Sequence, residues 1–519
     1  MGFAAGLRRL LPPLLLAVMG ALLVLSSLHK PLAYDEFDNL AYGYRFLDRG
    51  PGAPMRGQRM PVLLMNALGC ARDGCRQDAV NASEAALLKV RLATMIFTLL
   101  LGALVHRWAR EAMGEPAGLA ALWLYAFNPN FLAHGNKVTS DVPAAFFTAA
   151  SLYLFWKLCR RPHAVTFFLC AAATTGAVLS KYTSLLLFPV LALLLLLKGR
   201  GPTDEAHEAQ PGASVLRIAA AAAGFALLVL LLVNAAYFFR GSFRPWADYT
   251  WESEAFRSRN LDGLPLPLPR VFVQGLDYSS YLQEHVEVGR GLNYVLGQLG
   301  TRGVWYAFPL MILLKTPLAF IVLLGLAIAA RREEPRPGRW TWLVLIVPSA
   351  AIVLCLSLLA TAQLGIRYLL PGLPTLIICG ARAVAFATTR GRRLAVIALL
   401  GWYAASAVSY HPHYVAYFNE LIGRRVNAYR FLADSNLDWE DHRYFIARFQ
   451  ARHPEMAIAV EPPAPQAGYV LVGANQLVGI YGPERYRWLR ENFTPLRHVA
   501  YSHLLFYVPP GKLGAAGIH

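Results

Sequence analysis

Apolar residues in this chain come in long runs separated by short polar segments, and most runs approach the ~20 residues a helix needs to cross ~30 Å of hydrocarbon. The runs lie near 10–28, 86–105, 117–133, 142–158, 164–179, 183–197, 215–238, 304–330, 340–360, 368–388 and 393–410. They predict an all-α polytopic membrane bundle of about eleven transmembrane helices. Two runs carry interruptions: Asn128, Pro129 and Asn130 in the first, Lys315-Thr316-Pro317 in the second. A straight helix over 304–330 would sink Lys315 deep in hydrocarbon, whereas a span starting near Thr316 leaves it at the surface. Pro317 favours the second arrangement, because proline breaks a helix on its N-terminal side.

Charge orients the runs. With Arg8 and Arg9 holding the N-terminus in the cytoplasm, alternate short loops should be rich in Lys and Arg. The sequence obliges, with Arg107 and Arg110, then Lys157, Arg160 and Arg161, then Lys198 and Arg200, then Arg331, Arg332, Arg336 and Arg339, then Arg390, Arg392 and Arg393. Keeping that alternation requires a break at Ser180-Lys181-Tyr182, between the runs 164–179 and 183–197. The first run is followed by His29-Lys30-Pro31, not by a small-residue cleavage site, and reads as a retained span.

Under this topology the outer segments are 29–85, 134–141, 239–303 and the tail from 411 onward, and residues 199–214 form a flexible cytoplasmic linker. The division is therefore a membrane domain over 1–410 and a C-terminal extracytoplasmic domain over 411–519. The tail loses the long apolar runs and shows strand-like stretches at Gly468–Val472 and His498–Val508, with a helix around 438–452. It reads as a small α/β domain.

Composition agrees: 56% hydrophobic and 15% charged residues over 519 positions fit a membrane protein, not a string of soluble domains. The net charge of +18 is dispersed between apolar runs, without the basic face of a nucleic-acid binder. It speaks for topology and for contact with anionic membrane lipids. Cys70 and Cys75 share one outer loop, where an oxidising compartment permits a disulfide.

The unusual polar residues gather at the outer face. Tyr34-Asp35-Glu36-Phe37 follows the first span; His134, Asn136, Lys137 and Asp141 fill a short loop; Lys181 caps an outer turn; Arg367 opens a later span. Charges near a membrane are costly unless solvated, paired or used. A carboxylate in such a cleft can take the proton of an attacking hydroxyl, while Lys and Arg stabilise a leaving phosphate, which is the chemistry of group transfer from a phosphate ester. Bland readings exist for each. Glu36 and Asp35 can favour a helix N-terminus, Asp141 has N-cap surroundings, and Lys137 and Lys181 can snorkel to headgroups. His411-Pro412-His413 and Asp434-Ser435-Asn436-Leu437-Asp438 lack the ligand sets of zinc or calcium sites.

Five separated motifs, in order, resemble bacterial membrane glycosyltransferases of family 39, the group with protein O-mannosyltransferases and the lipid A aminoarabinose transferase. They are Tyr34-Asp35-Glu36-Phe37, Thr139-Ser140-Asp141-Val142-Pro143, the stretch from Gly303 to Lys315-Thr316-Pro317, Leu364-Gly365-Ile366-Arg367 through Pro371, and Asp434 through Trp439. The resemblance implies a GT-C fold, a polyprenyl-phosphate sugar donor, a lipid, glycan or protein hydroxyl as acceptor, and an inverting reaction that needs no metal or other cofactor. It implies Asp35 as base with Glu36 beside it, and Asp141 holding substrate. Together with the outer-face reading, His134 and Lys137 join Asp141 in substrate binding, and Lys181, Arg367 and Lys315 face the donor phosphate. One departure stands out: after Trp439 the family pattern continues Gly-Gln-Asp, but this chain has Glu440-Asp441-His442. The alternative is a polytopic transporter or lipid flippase with an outer domain, which predicts ionisable residues near the bilayer midplane and matched halves.

Overall fold

The computed structural model describes residues 2–50, 60–198, 215–286, 292–330, 333, 336–439 and 442–515. The linker 199–214, together with Arg331, Arg332, Glu440 and Asp441, lies outside the described residues. Helix occupies every apolar run read from the sequence. Among the described residues, five helices are by length and composition apolar and long enough to cross a membrane, and six if a bent pair counts as one span. The chain is an integral membrane protein. Several other helices, including Ala164–Val178 and Tyr182–Lys198, are apolar but shorter.

Local chemistry sets the ends. Ser83 caps the helix Glu84–Met113 by accepting from the Ala86 amide at 3.1 Å. Gly114, with φ of 89°, ends that helix and lets Glu115–Ala126 turn back. The run 117–133 is not one helix: it breaks after Ala126, and Asn128 restarts it by accepting from the amides of Asn130 and Phe131. The run 304–330 divides as Pro317 demands, into Ala307–Lys315 and Leu318–Ala329, bent by 100°. A break also falls at Ser180-Lys181, with Lys181 in extended backbone.

Helices without a hydrophobic drive between them are clasped by packing and polar contacts. Ser151 meets Thr174 at 2.7 Å between Asp141–Arg160 and Ala164–Val178, and Ser349 meets Thr375 at 2.5 Å between Arg339–Leu359 and Leu373–Ala381. Trp108, Tyr125, Phe131 and Trp156 fill the centre, all buried.

Beyond the last helix of the bundle, Arg390–Val408, the chain runs through short 3-10 turns to a helix at Arg443–Arg452 and a four-stranded sheet. Strand Gly468–Gly473 lies parallel to Ala459–Val460 on one side and antiparallel to His503–Val508 on the other, with Val470 opposite Phe506. The stretch His498–Val508 is not a single strand. Ala500 and Tyr501, both at positive φ, fold it into a hairpin of Arg497–Val499 with His503–Val508. Cys70 and Cys75 form a disulfide with their Cα atoms 5.0 Å apart.

Candidate active site

The helix Tyr34–Arg49 follows directly on the first span and brings adjacent acids to different environments. Successive helical residues point about 100° apart. Glu36 faces inward and is fully buried, Asp35 outward with 41% of its side chain exposed. Glu36 accepts from Arg91 Nε and Nη2 at 2.9 and 2.8 Å, from the Val138 amide at 2.9 Å and from the Ala33 amide at 2.9 Å. Lys137 Nζ stands 3.7 Å from the same carboxylate. Burial works against its charge, but Arg91 and Lys137 outweigh it and hold the Glu36 carboxyl below the usual range. Glu36 is thus a knot joining the start of this helix, the long helix Glu84–Met113 and the loop 134–141. Glu36, expected beside the base, is held in this buried pair, and Lys137, expected to contact substrate, is buried against it.

Asp35 meets a different cation. Arg367 Nη1 donates to Asp35 Oδ2 at 2.5 Å. The guanidinium carbon lies 5.0 Å from the Trp439 ring and 5.8 Å from the Tyr368 ring. A second pair stands beside the first: Lys181 Nζ donates to Asp141 Oδ1 at 2.5 Å and stands 4.2 Å over the other partner of Arg367, Tyr368. Burial opposes the charge on Arg367, yet Asp35 and Asp141 together hold it well above the ordinary arginine value. Both carboxylates are therefore within its electrostatic reach.

His134 is buried edge-on to Trp439, ring centroids 5.1 Å apart. Burial pushes its imidazole down to about 3, with Asp141 opposing and Arg367, Lys315 and Lys137 assisting. It is neutral at physiological pH. Lys315, at the 100° bend, is 1% exposed and donates to the carbonyls of Val415 at 2.7 Å and Asn436 at 2.5 Å, with Phe418 4.5 Å below. Lys315, expected to face the donor phosphate, braces the tail segment through these two carbonyls.

The model of the dolichyl-phosphate-mannose-protein mannosyltransferase family matches residues 83–223. No curated protein matches the sequence. Among solved structures, apo ArnT from Cupriavidus metallidurans aligns at a TM-score of 0.50 and 14% identity, over 97% of this chain and 98% of that one. The same protein bound to undecaprenyl phosphate gives 0.48 and 15%, over 95% and 97%. The oligosaccharyltransferase AglB from Archaeoglobus fulgidus, with an inhibitory peptide and a dolichol-phosphate, gives 0.44 and 12%, over 76% of this chain and 56% of that one. The chain resembles the polyprenyl-phosphate-dependent GT-C glycosyltransferases.

Within this GT-C-like frame, Asp35, Asp141, Lys181 and Arg367 converge, with His134 beside them. Sequence reasoning missed three residues. Arg91 is the partner of Glu36, and its signal was an arginine inside the apolar run 86–105. Tyr368 and Trp439 are the aromatic walls around the cations, and both stand inside the quoted motifs without a role assigned there. The tail motif, left without a role, packs on the loop that carries Arg367: Asn436 Oδ1 accepts from the Ile366 amide at 3.0 Å.

Proposed function

We propose that this protein is a membrane glycosyltransferase that moves a sugar from a polyprenyl phosphate to a hydroxyl acceptor at the extracytoplasmic face. The observation that carries the reading is the meeting of two acids and two cations from four separated segments in one cluster: Asp35 with Arg367, Asp141 with Lys181. Support comes from the family match over 83–223 and from the likeness in fold to apo ArnT.

In this reading Arg367 and Lys181 bind the donor phosphate, and Asp141 orients the sugar or acceptor. Asp35 takes the proton from the acceptor hydroxyl as its oxygen bonds to the anomeric carbon, and the bond from that carbon to the phosphate oxygen breaks. The polyprenyl phosphate departs with the electron pair, its growing charge met by the two cations. The step inverts the anomeric carbon and calls on no metal. The full arrangement is about eleven spans, with the N-terminus in the cytoplasm and the tail from 411 outside as a separate small domain.

A panel of radiolabelled polyprenyl-phosphate sugars, offered to membranes with wild type or Asp35→Asn, tests this. Label should pass to a new product with wild type alone. Equal movement of labelled lipid across the bilayer by both proteins, without transfer, would replace this reading with a flippase.

A further inference from the structure

We propose that Trp439 is a positioning residue for Arg367, so that the tail segment after the last membrane helix completes the donor-phosphate seat. This rests on the function proposed above. The sequence gives the motif Asp434–Trp439 no metal role, and its geometry supplies another.

The segment is clamped onto the arginine loop at several points. Asn436 holds the Ile366 amide through its side chain, and its own carbonyl accepts from Lys315 Nζ at 2.5 Å. Gly365 sits at φ of +127°, and a Cβ there would stand 2.7 Å from Ser435 Oγ, so only glycine allows the two segments this close. From that clamp, the buried Trp439 ring lies beside the Arg367 guanidinium and meets the His134 ring at a steep angle, 70° between planes. Tyr368 also flanks the guanidinium, and Asp35 binds one end of it.

An arginine side chain has several rotatable bonds. A ring beside the guanidinium fixes its plane and adds a cation–π attraction that strengthens with desolvation. Plain apolar packing at 439 would fill the same volume without ordering the cation. The two roles therefore separate experimentally.

The test uses the full chain in bilayers, with the donor that the panel identifies and with undecaprenyl phosphate as a binding probe. Trp439→Phe keeps a π-face and Trp439→Leu keeps apolar bulk. Trp439→Leu should raise the donor KM and the undecaprenyl phosphate Kd roughly tenfold. The acceptor KM should stay put, and Trp439→Phe should remain within about threefold of wild type. In an Arg367→Gln background, Trp439→Leu should cost nothing further. Should Trp439→Leu not fold, a series of fluorinated tryptophans at 439, which weakens the π-face at nearly constant volume, should weaken binding stepwise. Equal effects of Phe and Leu, losses that multiply with Arg367→Gln, or a flat fluorination series would overturn the inference. A wild-type protein that neither transfers sugar nor binds undecaprenyl phosphate would instead overturn the function beneath it.

Discussion

Arg367 and Asp35, 332 positions apart in the chain, meet at 2.5 Å between Nη1 and Oδ2. In the proposed mechanism each has another partner to serve: Arg367 the donor phosphate, Asp35 the acceptor hydroxyl. The pair must open for both. Phosphate competes with Asp35 for the guanidinium, and its arrival frees the carboxylate to act as base. Asp35→Asn should therefore abolish transfer while binding undecaprenyl phosphate more tightly than wild type. With Asp35 on the exposed side of the pair the gain is about 0.5–1 kcal/mol, roughly two- to fivefold in Kd. Equilibrium binding in bilayers measures it.

Glu36, one residue on, predicts the opposite behaviour. Removing one partner of a buried ion pair costs ~3–5 kcal/mol. Glu36→Gln should lower the melting temperature sharply, whereas Asp35→Asn should leave it within a few degrees. Replacing both Glu36 and Arg91 by apolar residues should not restore stability, because Arg91 also donates to the carbonyls of Ser27, Lys30 and Pro31. Since the folded Glu36 carboxyl lies below its ordinary value, its contribution is full above the usual carboxylate range. It is lost as pH falls through the depressed folded value.

His134 gives a second pH signature. Its folded pKa is about 3 against an ordinary 6.5, so between these values the unfolded chain binds the extra proton and stability falls as pH falls. The slope is at most ~1.4 kcal/mol per pH unit. Buried His503, pushed down to about 4, has the same sign, so the informative quantity is a difference. Melting of His134→Gln against wild type from pH 7 to pH 5 should show a flatter profile for the variant (~1 kcal/mol per unit).

The Cys70–Cys75 bridge closes a short loop in the first outer segment. Cys70→Ser with Cys75→Ser should cost ~2 kcal/mol on the loop-entropy account and leave the donor KM unchanged. In intact cells, labelling of these thiols should require reduction first, which also checks that the segment faces an oxidising compartment.

Much of this site was legible because charges beside apolar runs are expensive. Asp35, Asp141, Lys181 and Arg367 carry that signal, and the structure brings them together. Which cation serves which acid was not legible, because the pairing depends on how distant helices pack. Glu36 and Lys137 carried the same signal as Asp35 and Lys181. Only the rotation of the helix Tyr34–Arg49 separates the buried acid from the exposed one. Among the helices, Pro317 announced the 100° bend, while the division of His498–Val508 into a hairpin rests on positive φ at Ala500 and Tyr501, residues that do not advertise it. Aromatic walls such as Tyr368 and Trp439 look in sequence like any other aromatic residue near a membrane surface.

In the proposed mechanism Asp35 removes the acceptor proton while the donor sits on Arg367 and Lys181. Single-turnover transfer by the purified full chain, preloaded with its polyprenyl-phosphate sugar, tests it most directly. With Asp35→Asn the donor should stay bound and the product should form at least ~10²-fold more slowly than with wild type. Product formation at the wild-type rate in Asp35→Asn, with donor bound, would contradict the account.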